Sequence, residues 1–201
     1  MVSSAIRPSQ ADPRVKRTRK LLLDAFSELQ KEKSISSISV QDIAERAMVN
    51  RATFYAHFED KYALMYSWMQ EAFQKVLARN VPASSRLTRE NLRALVLTVY
   101  EFLGGFYTTC KLSDRELEPM FETAMQQELC AVLLGWLKGS PGKGVKGGYL
   151  ETAAQVTSWA IFGPAVQWSR DRNRRRSAGE MAEEVLPLVI NGLAGVVAAI
   201  E

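Results

Sequence analysis

Apolar residues in this chain of 201 residues recur every three or four positions and almost never in strict alternation. That period puts apolar side chains on one stripe of an α-helix, whereas a half-buried β-strand needs a period of two. The segment 88–107 shows it clearly, because its apolar residues share one helical face: Leu92, Val96, Val99, Leu103 and Phe106. The pattern predicts an all-α fold of about nine helices.

Capping residues and prolines predict where these helices begin and end. Asp12-Pro13 begins the first helix, because Asp accepts hydrogen bonds from free amides and Pro suits the first helical position. The helix that begins at Lys61 ends before Pro82. Later helices are predicted over Thr88 to about Tyr107, Asp114 to Leu137 with a bend or break near Pro119, Tyr149 to Arg170 and Ser177 to Ile200.

Two short helices joined by a three-residue turn are predicted after Ser39. Ser39 and Asp42 have the spacing of a capping box, which starts a helix over Val40 to Ala47. Asn50 is a good N-cap for the next helix, Arg51 to Phe58, and the turn between them is Met48-Val49-Asn50. In a helix-turn-helix the first helix crosses the DNA backbone and the second enters the major groove.

The second short helix has one apolar side and one side suited to DNA. The predicted hidden side comprises Ile43, Ala44, Val49, Phe54 and Phe58. The predicted outward side comprises Arg51, Ala52, Thr53, Tyr55 and His57. Arg51 can form two hydrogen bonds with guanine, Thr53 offers a methyl and a hydroxyl to base edges, and the small Ala52 permits close approach.

Other polar residues are candidates for contacts with the DNA backbone. Tyr55 and His57 are predicted phosphate donors, and Gln41 on the preceding helix reaches adenine or the backbone. Lys61 begins the next helix, where its charge adds to that of the free amides. The first 20 residues also hold six basic residues and one acidic residue, out of a net charge of +4 for the chain. Short charged runs are more often solvated, but beside a helix-turn-helix this cluster favours DNA binding.

The segment from Ser39 to Lys61 is similar to the DNA-binding signature of the TetR family of regulators. It reads Ser39-Val40-Gln41-Asp42-Ile43-Ala44-Glu45-Arg46-Ala47-Met48-Val49-Asn50-Arg51-Ala52-Thr53-Phe54-Tyr55-Ala56-His57-Phe58-Glu59-Asp60-Lys61. The resemblance covers roughly residues 13–65, including Ala25-Phe26 and Leu64. It implies that the following residues contact operator DNA: Ser39, Gln41, Asn50, Arg51, Thr53, Tyr55, His57 and Lys61. Met48 stands where the family usually has Gly, so we expect a small adjustment of the turn.

The resemblance also implies a domain organisation and a function. A disordered tail over 1–11 precedes a three-helix DNA-binding domain over 12–60, and a larger helical domain over 61–201 binds an effector and dimerises. The expected function is a ligand-responsive transcriptional regulator, a repressor that acts as a homodimer on a palindromic operator of double-stranded DNA. The two recognition helices would then lie about 34 to 36 Å apart. An effector acts by binding one domain arrangement better than another.

Two groups of apolar residues in the larger domain are candidates for these roles, although most aromatic residues of a helical domain are ordinary core. A small, largely apolar effector would be lined by Trp68, Tyr100, Phe106, Tyr107, Phe121, Met125, Trp136 and Trp159. The dimer interface would be formed by the last two helices, with Trp159, Phe162, Val166, Val185, Leu188, Val189, Gly192 and Val196.

Several classes of function are disfavoured by what the chain contains. His57 is the only histidine, and Cys110 and Cys130 form no CxxC pair, so neither a metal site, a cofactor nor histidine-dependent catalysis is expected. No apolar run of membrane length and no secretory signal occur, which predicts a bacterial-type cytoplasmic protein, associated with the nucleoid when it is bound to DNA. The alternatives are a DNA-binding regulator without an effector and, less favoured, a helical enzyme or carrier.

Two further motifs are interpreted as loops. Gly142-Lys143-Gly144-Val145-Lys146-Gly147 fits G-x-G-x-x-G, but it follows no strand, so a flexible loop is favoured over a dinucleotide site. The arginine-rich link Arg170 to Arg176 lies between the last two helices, and a solvated loop is favoured over a second nucleic-acid site.

Overall fold

The computed structural model describes residues 12–81, 86–109, 117–139, 142, 147–171, 173 and 175–197. Within these ranges the chain forms eight α-helices, which confirms the all-α prediction and is close to the expected number. They are α1 (Pro13–Glu32), α2 (Val40–Arg46), α3 (Arg51–His57), α4 (Lys61–Asn80), α5 (Arg89–Thr109), α6 (Glu118–Gly139), α7 (Gly147–Arg170) and α8 (Ala178–Leu193). The tail predicted over 1–11 lies outside the described residues, and so does most of the loop 142–147.

The capping residues identified in the sequence perform the expected roles. The Asp12 carboxylate accepts a hydrogen bond from the Arg14 amide at 2.8 Å, with Pro13 in the first turn. Reciprocal capping boxes begin α2 at Ser39 and α8 at Ser177. The starts of these helices are therefore encoded locally.

The first of two compact units contains α1, α2, α3 and α4 up to Met69, together with residues 117–120. Helix α1 packs against α2 and α3, and α2 packs against α3. Large side chains without solvent exposure fill its core: Leu22, Phe26, Ile43, Phe54, Leu64 and Met65. Two ion pairs add to this packing, since the Arg46 guanidinium lies 3.3 Å from Glu28 and 2.8 Å from Glu32.

The second unit contains α4 from Gln70 onward, α5, α6 from Phe121 onward, α7 and α8. Helix α5 packs against both α7 and α8, and these two pack against each other. The Glu128 carboxylate ties α6 to α4, because it accepts hydrogen bonds from Gln70 at 2.7 Å and from Gln74 at 2.8 Å. The division between the units therefore falls within two helices, α4 and α6.

The end of α8 differs from its predicted end, and the start of α6 shows where Pro119 lies in that helix. The last helix ends at Leu193, so the end predicted at Ile200 is wrong. The reason is a turn in which Gly195 has a φ of 91°, a left-handed conformation that no α-helix contains. Helix α6 begins at Glu118, so Pro119 lies in its first turn, where the missing amide breaks no hydrogen bond of the helix.

No helix of the described ranges is long and apolar enough to cross a membrane.

Candidate nucleic-acid interface

The turn between α2 and α3 is closed by hydrogen bonds typical of a Schellman motif. The amide of Val49 donates to the carbonyl of Ala44 at 2.9 Å, and the amide of Met48 donates to the carbonyl of Glu45 at 3.0 Å. This motif requires a left-handed residue directly after the helix cap, and that residue is Met48, with a φ of 54°. The turn thus keeps the backbone geometry that favours glycine, and the backbone of Met48 is strained because it carries a side chain.

Met48 gains no packing in return for that strain. Its side chain is 91% exposed. The residues on either side of the turn behave as predicted, because Ile43, Ala44, Phe54 and Phe58 are buried and Val49 is half-buried. The hidden side of the helix-turn-helix is therefore confirmed.

Asn50 fixes both the start of α3 and the orientation of Thr53. Its side-chain oxygen accepts hydrogen bonds from the Thr53 amide at 2.7 Å and from the Thr53 hydroxyl at 2.9 Å. Because the Thr53 hydroxyl donates its proton to Asn50, its lone pairs remain free to accept a hydrogen bond. The Thr53 side chain is half-exposed, and its methyl group lies beside the hydroxyl. Thr53 is thus presented to a base as an acceptor and an apolar contact.

Arg51 and Tyr55 form the outward side of α3 with Ala52. All three are exposed. The Arg51 guanidinium donates a long hydrogen bond of 3.4 Å to the Tyr55 hydroxyl, and it lies 6.0 Å from the centre of the Tyr55 ring. Both groups are held on one side of the helix, with most of the guanidinium N–H groups available to another acceptor.

The two candidates at the start of α2, its N-cap Ser39 and Gln41, have local partners. The Ser39 hydroxyl accepts from the Asp42 amide at 3.1 Å and donates to the Asp42 carboxylate at 2.7 Å. Lys33 lies 2.8 Å from the same carboxylate and, together with the Ser39 hydrogen bonds, holds its pKa well below the usual range. Gln41 is exposed and donates to Glu45 one turn later.

Lys61 has a structural role that the sequence does not reveal. Its ammonium donates to the backbone carbonyls of Ser36 at 3.0 Å and Ile38 at 3.1 Å. These bonds tie the start of α4 to the connection before α2. They also bring Lys61 next to the residue that precedes Ser39, so two predicted phosphate contacts lie at one place.

His57 ends α3 in a half-buried position beside a second cation. Burial lowers the pKa of His57, and the positive charge of Arg19 lowers it further. Arg19 itself is fixed, since its guanidinium lies 4.3 Å from the centre of the Phe58 ring and donates to the Ser67 hydroxyl at 2.7 Å. In the free chain, burial and the charge of Arg19 therefore favour the neutral form of His57.

Exposed side chains near this surface include some that were not among the named DNA contacts. Tyr62 is 45% exposed, and the Lys61 ammonium lies 5.4 Å from its ring centre. The feature of the sequence that could have identified Tyr62 is its position directly after Lys61, at the start of a helix. In the first eight residues of α1, the exposed basic residues are Arg14, Lys16, Arg17 and Lys20, which is the basic face indicated by the sequence.

The candidate effector residues fall into separate places. Phe106, Tyr107 and Phe121 lie together, with ring centres 5.5 Å apart from Phe106 to each of the other two. Met125 and Trp136 are buried in the same unit. Tyr100 is fully buried against Trp168, Trp68 contacts Phe26 in the first unit, and Trp159 is 51% exposed. The pocket as a whole stays a prediction.

The candidate dimer residues divide into buried and exposed sets. Five are buried within the single chain: Phe162, Val166, Val185, Val189 and Val196. Trp159, Leu188 and Gly192 are exposed. Val156, one turn before Trp159 on α7, is also exposed, and the sequence analysis did not single it out. The feature of the sequence that could have identified Val156 is its helical spacing to Trp159.

The arginine-rich link is partly engaged by neighbouring helices. Arg170 pairs with Glu122 at 2.7 Å, and Arg176 pairs with Glu184. Arg172 and Arg174 lie outside the described residues.

Among the residues that the structure describes, no group of three or more His, Cys, Asp or Glu side chains is placed to hold a metal ion.

The sequence model of one family matches this chain. The family is described as bacterial regulatory proteins, tetR family, and the match covers residues 22–66. These residues include the second half of α1, all of α2 and α3, and the start of α4. The HTH-type transcriptional repressor KstR2 of Rhodococcus jostii is 25% identical over 193 residues, which are 86% of this chain and 89% of that protein.

Solved structures share the fold over most of the chain. The TetR family repressor AlkX from a Dietzia species has a TM-score of 0.61 and 18% identity, and the match covers 91% of this chain and 99% of that one. The transcriptional regulator FadR from Bacillus subtilis, solved in complex with stearoyl-CoA, has a TM-score of 0.50 and 19% identity, over 86% and 98% of the two chains. At these identities the likeness concerns the fold alone.

Proposed function

We propose that this chain, whose residues 22–66 match the tetR family of bacterial regulatory proteins, is a DNA-binding transcriptional regulator of that family. In this proposal it is a repressor that binds a palindromic operator as a homodimer and releases it when a small molecule binds. The observation that carries the proposal is the outward side of α3. Arg51, Ala52 and Tyr55 are exposed there, while Phe54 on the opposite side is fully buried.

Base recognition is assigned to Arg51 and Thr53, with Gln41 as a further candidate. Arg51 is exposed with donors to spare, which suits the two acceptors of guanine. Thr53 offers its methyl group to thymine while Asn50 holds its hydroxyl. These contacts depend on base identity, so their loss changes the preferred sequence.

Backbone binding is assigned to Ser39, Asn50, Tyr55, His57 and Lys61. The Tyr55 hydroxyl is exposed and suits a phosphate oxygen. Lys61 contributes its charge while its ammonium remains bonded to the carbonyls of Ser36 and Ile38. Such contacts are the same for every sequence, so their loss weakens all DNA binding alike.

Dimer formation is supported by apolar side chains that the single chain leaves exposed on α7 and α8. Leu188 is 72% exposed, Val156 is 63% exposed and Trp159 is 51% exposed. Large apolar side chains at helical spacing on two packed helices are typical of a protein interface. Gly163 follows Trp159 by one turn and Gly192 follows Leu188 by one turn, so partner helices can approach closely there.

Control by a small molecule is supported by the fold and by the aromatic content of the second unit. The FadR structure from Bacillus subtilis contains stearoyl-CoA, so a fold of this kind accommodates a ligand in that protein. In this chain, the second unit holds an aromatic cluster of the buried Phe106 and Phe121 and the half-buried Tyr107.

Selection from random DNA tests the proposed operator binding. Purified protein should enrich a palindrome whose half-sites are one helical turn apart, and the affinity for the recovered site should fall steeply with salt. Recovery of no preferred sequence would contradict the proposal. A thermal-shift screen with metabolite pools then distinguishes an effector-controlled regulator from one without an effector.

Paired substitutions test the division of roles. Thr53→Ala should change the preferred base at one position of each half-site, whereas Tyr55→Phe should weaken binding to matched and mismatched operators by the same factor. Thr152→Ala and Tyr149→Phe are matched controls, because both residues are exposed and lie in the second unit. Equal effects of Thr53→Ala on all sequences would show that Thr53 does not read a base.

A further inference from the structure

Arg19 differs from the other basic residues at the start of α1 because its side chain is held in place. Those residues are exposed, whereas Arg19 is half-buried. Its guanidinium lies 4.3 Å from the centre of the Phe58 ring and donates to the Ser67 hydroxyl at 2.7 Å. Arg19 therefore contacts the C-cap of α3 and a residue of α4 at the same time, all within the first unit.

Ser67 is itself oriented for this contact. Its hydroxyl donates to the carbonyl of Ala63, one turn earlier on α4, at 3.0 Å. Because that proton is used within the helix, the hydroxyl oxygen presents its lone pairs to Arg19. The guanidinium is thus fixed by a hydrogen bond and by an aromatic face, and both contacts suit its planar shape. Little side-chain entropy is left to lose when a ligand binds.

The charge of Arg19 is not balanced within the part of the chain that the structure describes. Its hydrogen bond goes to the neutral Ser67 hydroxyl, and none of its contacts with described residues involves a carboxylate. Arg46 is different, since it pairs with both Glu28 and Glu32. A guanidinium carries several N–H donors, so most of those on Arg19 are available to an anion.

His57 lies beside Arg19, directly before Phe58. Its ring is half-buried and has no hydrogen-bond partner among the described residues. Burial lowers the pKa of His57 and the charge of Arg19 lowers it further, so the two groups are close enough to interact. A neutral imidazole keeps one N–H donor. Donors from α1 and α3 are therefore brought together, and no described carboxylate lies between them.

A phosphate oxygen fits this pair of donors. Phosphate is charged and has several acceptor oxygens, and Arg forms short charge-assisted hydrogen bonds with it. Such a bond is stronger at a half-buried site than in open water. His57 lies two residues after Tyr55, on the helix that carries the proposed DNA-reading side. The backbone of the bound duplex is the source of phosphate that this position favours.

We propose that Arg19 and His57 together bind one phosphate of the operator backbone, with the guanidinium and the imidazole N–H donating to its oxygens. The inference rests on the proposed operator binding and adds to it a residue outside the helix-turn-helix. Because Arg19 also contacts Phe58 and Ser67, the phosphate is bound by a group that is already fixed against the end of α3 and against α4.

The salt dependence of operator binding tests Arg19. In Arg19→Gln, affinity for the selected operator should fall about tenfold at low salt. The plot of log affinity against log salt concentration should become less steep by about 1, because one phosphate contact is lost. Arg79→Gln is the matched control with the same change in net charge, since Arg79 is an exposed arginine of the second unit.

The steepness should not change in Arg79→Gln. Unchanged steepness in Arg19→Gln would overturn the proposal. An equal decrease in both variants would also overturn it, because the effect would then be one of net charge and not of a contact.

Operators that each carry one neutral methylphosphonate in a half-site locate the phosphate. Arg19→Gln and His57→Gln should lose most of their effect at the same backbone position, since the group that both residues bind is no longer charged there. Loss at two different positions would contradict a shared phosphate. If Arg19→Gln does not fold, Arg19→Lys is scanned instead, because it keeps the charge and loses the planar donors. Its weaker binding should disappear at the His57 position, and a different position would again contradict the proposal.

The proximity of the two side chains is measurable without DNA. His57 is the only histidine of the chain, so its ring gives the only histidine signals in an NMR titration of the full-length protein. Arg19→Gln should raise the pKa of His57, because a neighbouring positive charge is removed. An unchanged pKa would show that the two groups are too far apart to share a phosphate.

The wild type separates the two levels of inference. If it selects an operator and Arg19→Gln keeps the wild-type salt dependence, the shared phosphate is wrong and the proposed regulator stands. If it selects no operator, the proposed function fails and the operator phosphate site fails with it, whatever the titration of His57 shows.

Discussion

Met48 occupies a left-handed turn position at which a side chain is a disadvantage. Its φ is 54° and its side chain is 91% exposed, so no buried contact offsets the backbone strain. The hydrogen bonds from Met48 and Val49 to the end of α2 fix this geometry. The hydrogen bonds of the Schellman motif therefore hold the turn in this conformation, although the backbone of Met48 is strained in it.

Replacing Met48 with glycine should stabilise the protein. Relief of a left-handed non-glycine residue is worth about 1 kcal/mol in the free energy of unfolding, less a few tenths for the flexibility of glycine in the unfolded chain. Urea unfolding measures the change, and operator affinity should stay within twofold. A loss of affinity with normal stability would instead show that the Met48 side chain contacts DNA.

His57 gives operator binding a dependence on pH. Its pKa in the free chain is lowered from 6.5 by burial and by Arg19, so the folded chain favours the neutral ring. The corresponding stability is fully present above pH 6.5 and decreases as the pH falls below it. A DNA phosphate beside the ring would raise the pKa in the complex, so binding takes up a proton.

Operator affinity should therefore increase as the pH falls from 7.5 to 6, and this increase should be smaller in His57→Gln. Fluorescence anisotropy at constant ionic strength measures both proteins. Identical pH profiles for the two would rule out contact between His57 and a phosphate.

Among the helices, Glu122 joins three of them through one carboxylate oxygen. On α6, Glu122 accepts hydrogen bonds from Tyr107 on α5 at 2.5 Å and from Arg170 on α7 at 2.7 Å. Burial and the adjacent carboxylate raise the pKa of Tyr107, so the phenol remains a donor. The aromatic cluster around Phe106 and Phe121 is thereby closed on one side by a polar link.

Loss of this link should destabilise the second unit. Glu122→Ala should lower the free energy of unfolding by about 2 kcal/mol, and Glu122→Gln by roughly half as much, because the amide still accepts from Tyr107. Urea unfolding is the measurement. Glu151→Ala is the control, since its pair with Lys138 is exposed on both sides and should contribute at most about 0.5 kcal/mol. Equal effects at Glu122 and Glu151 would contradict the role of Glu122.

At the scale of the whole molecule, the dimer depends on a few exposed residues of α7 and α8. Leu188→Glu should convert the dimer to a monomer at micromolar concentration, because the charge would be buried in an apolar interface. Sedimentation velocity measures the mass. Ala131→Glu is the control, since Ala131 is exposed on α6. The monomer should bind a full palindrome at least tenfold more weakly than the wild type, because only one half-site is held by each chain.

A dimeric Leu188→Glu variant would place the interface elsewhere, and a monomeric wild type would remove the basis of the palindromic operator. The selected operator then shows which case holds, since a monomer recovers a single half-site.

Local sequence signals determined the helices and the helix-turn-helix. Ser39, Asn50 and Ser177 cap helices through bonds to amides at most three residues away, so their effect is visible in the sequence. The outward side of α3 follows from the same local logic, because helical geometry fixes which residues share a side with Phe54 and which oppose it.

Tertiary structure decided the roles that depend on residues far apart in the chain. Periodicity marks a residue as apolar and facing inward, but it does not say what covers it. The predicted interface residues Phe162 and Val185 are covered by their own chain, while Trp159 and Leu188 stay exposed. Lys61 is bonded to carbonyls 23 and 25 residues earlier, and no local pattern reports such a contact. Long-range packing, unlike capping, has no fixed spacing that a sequence can display.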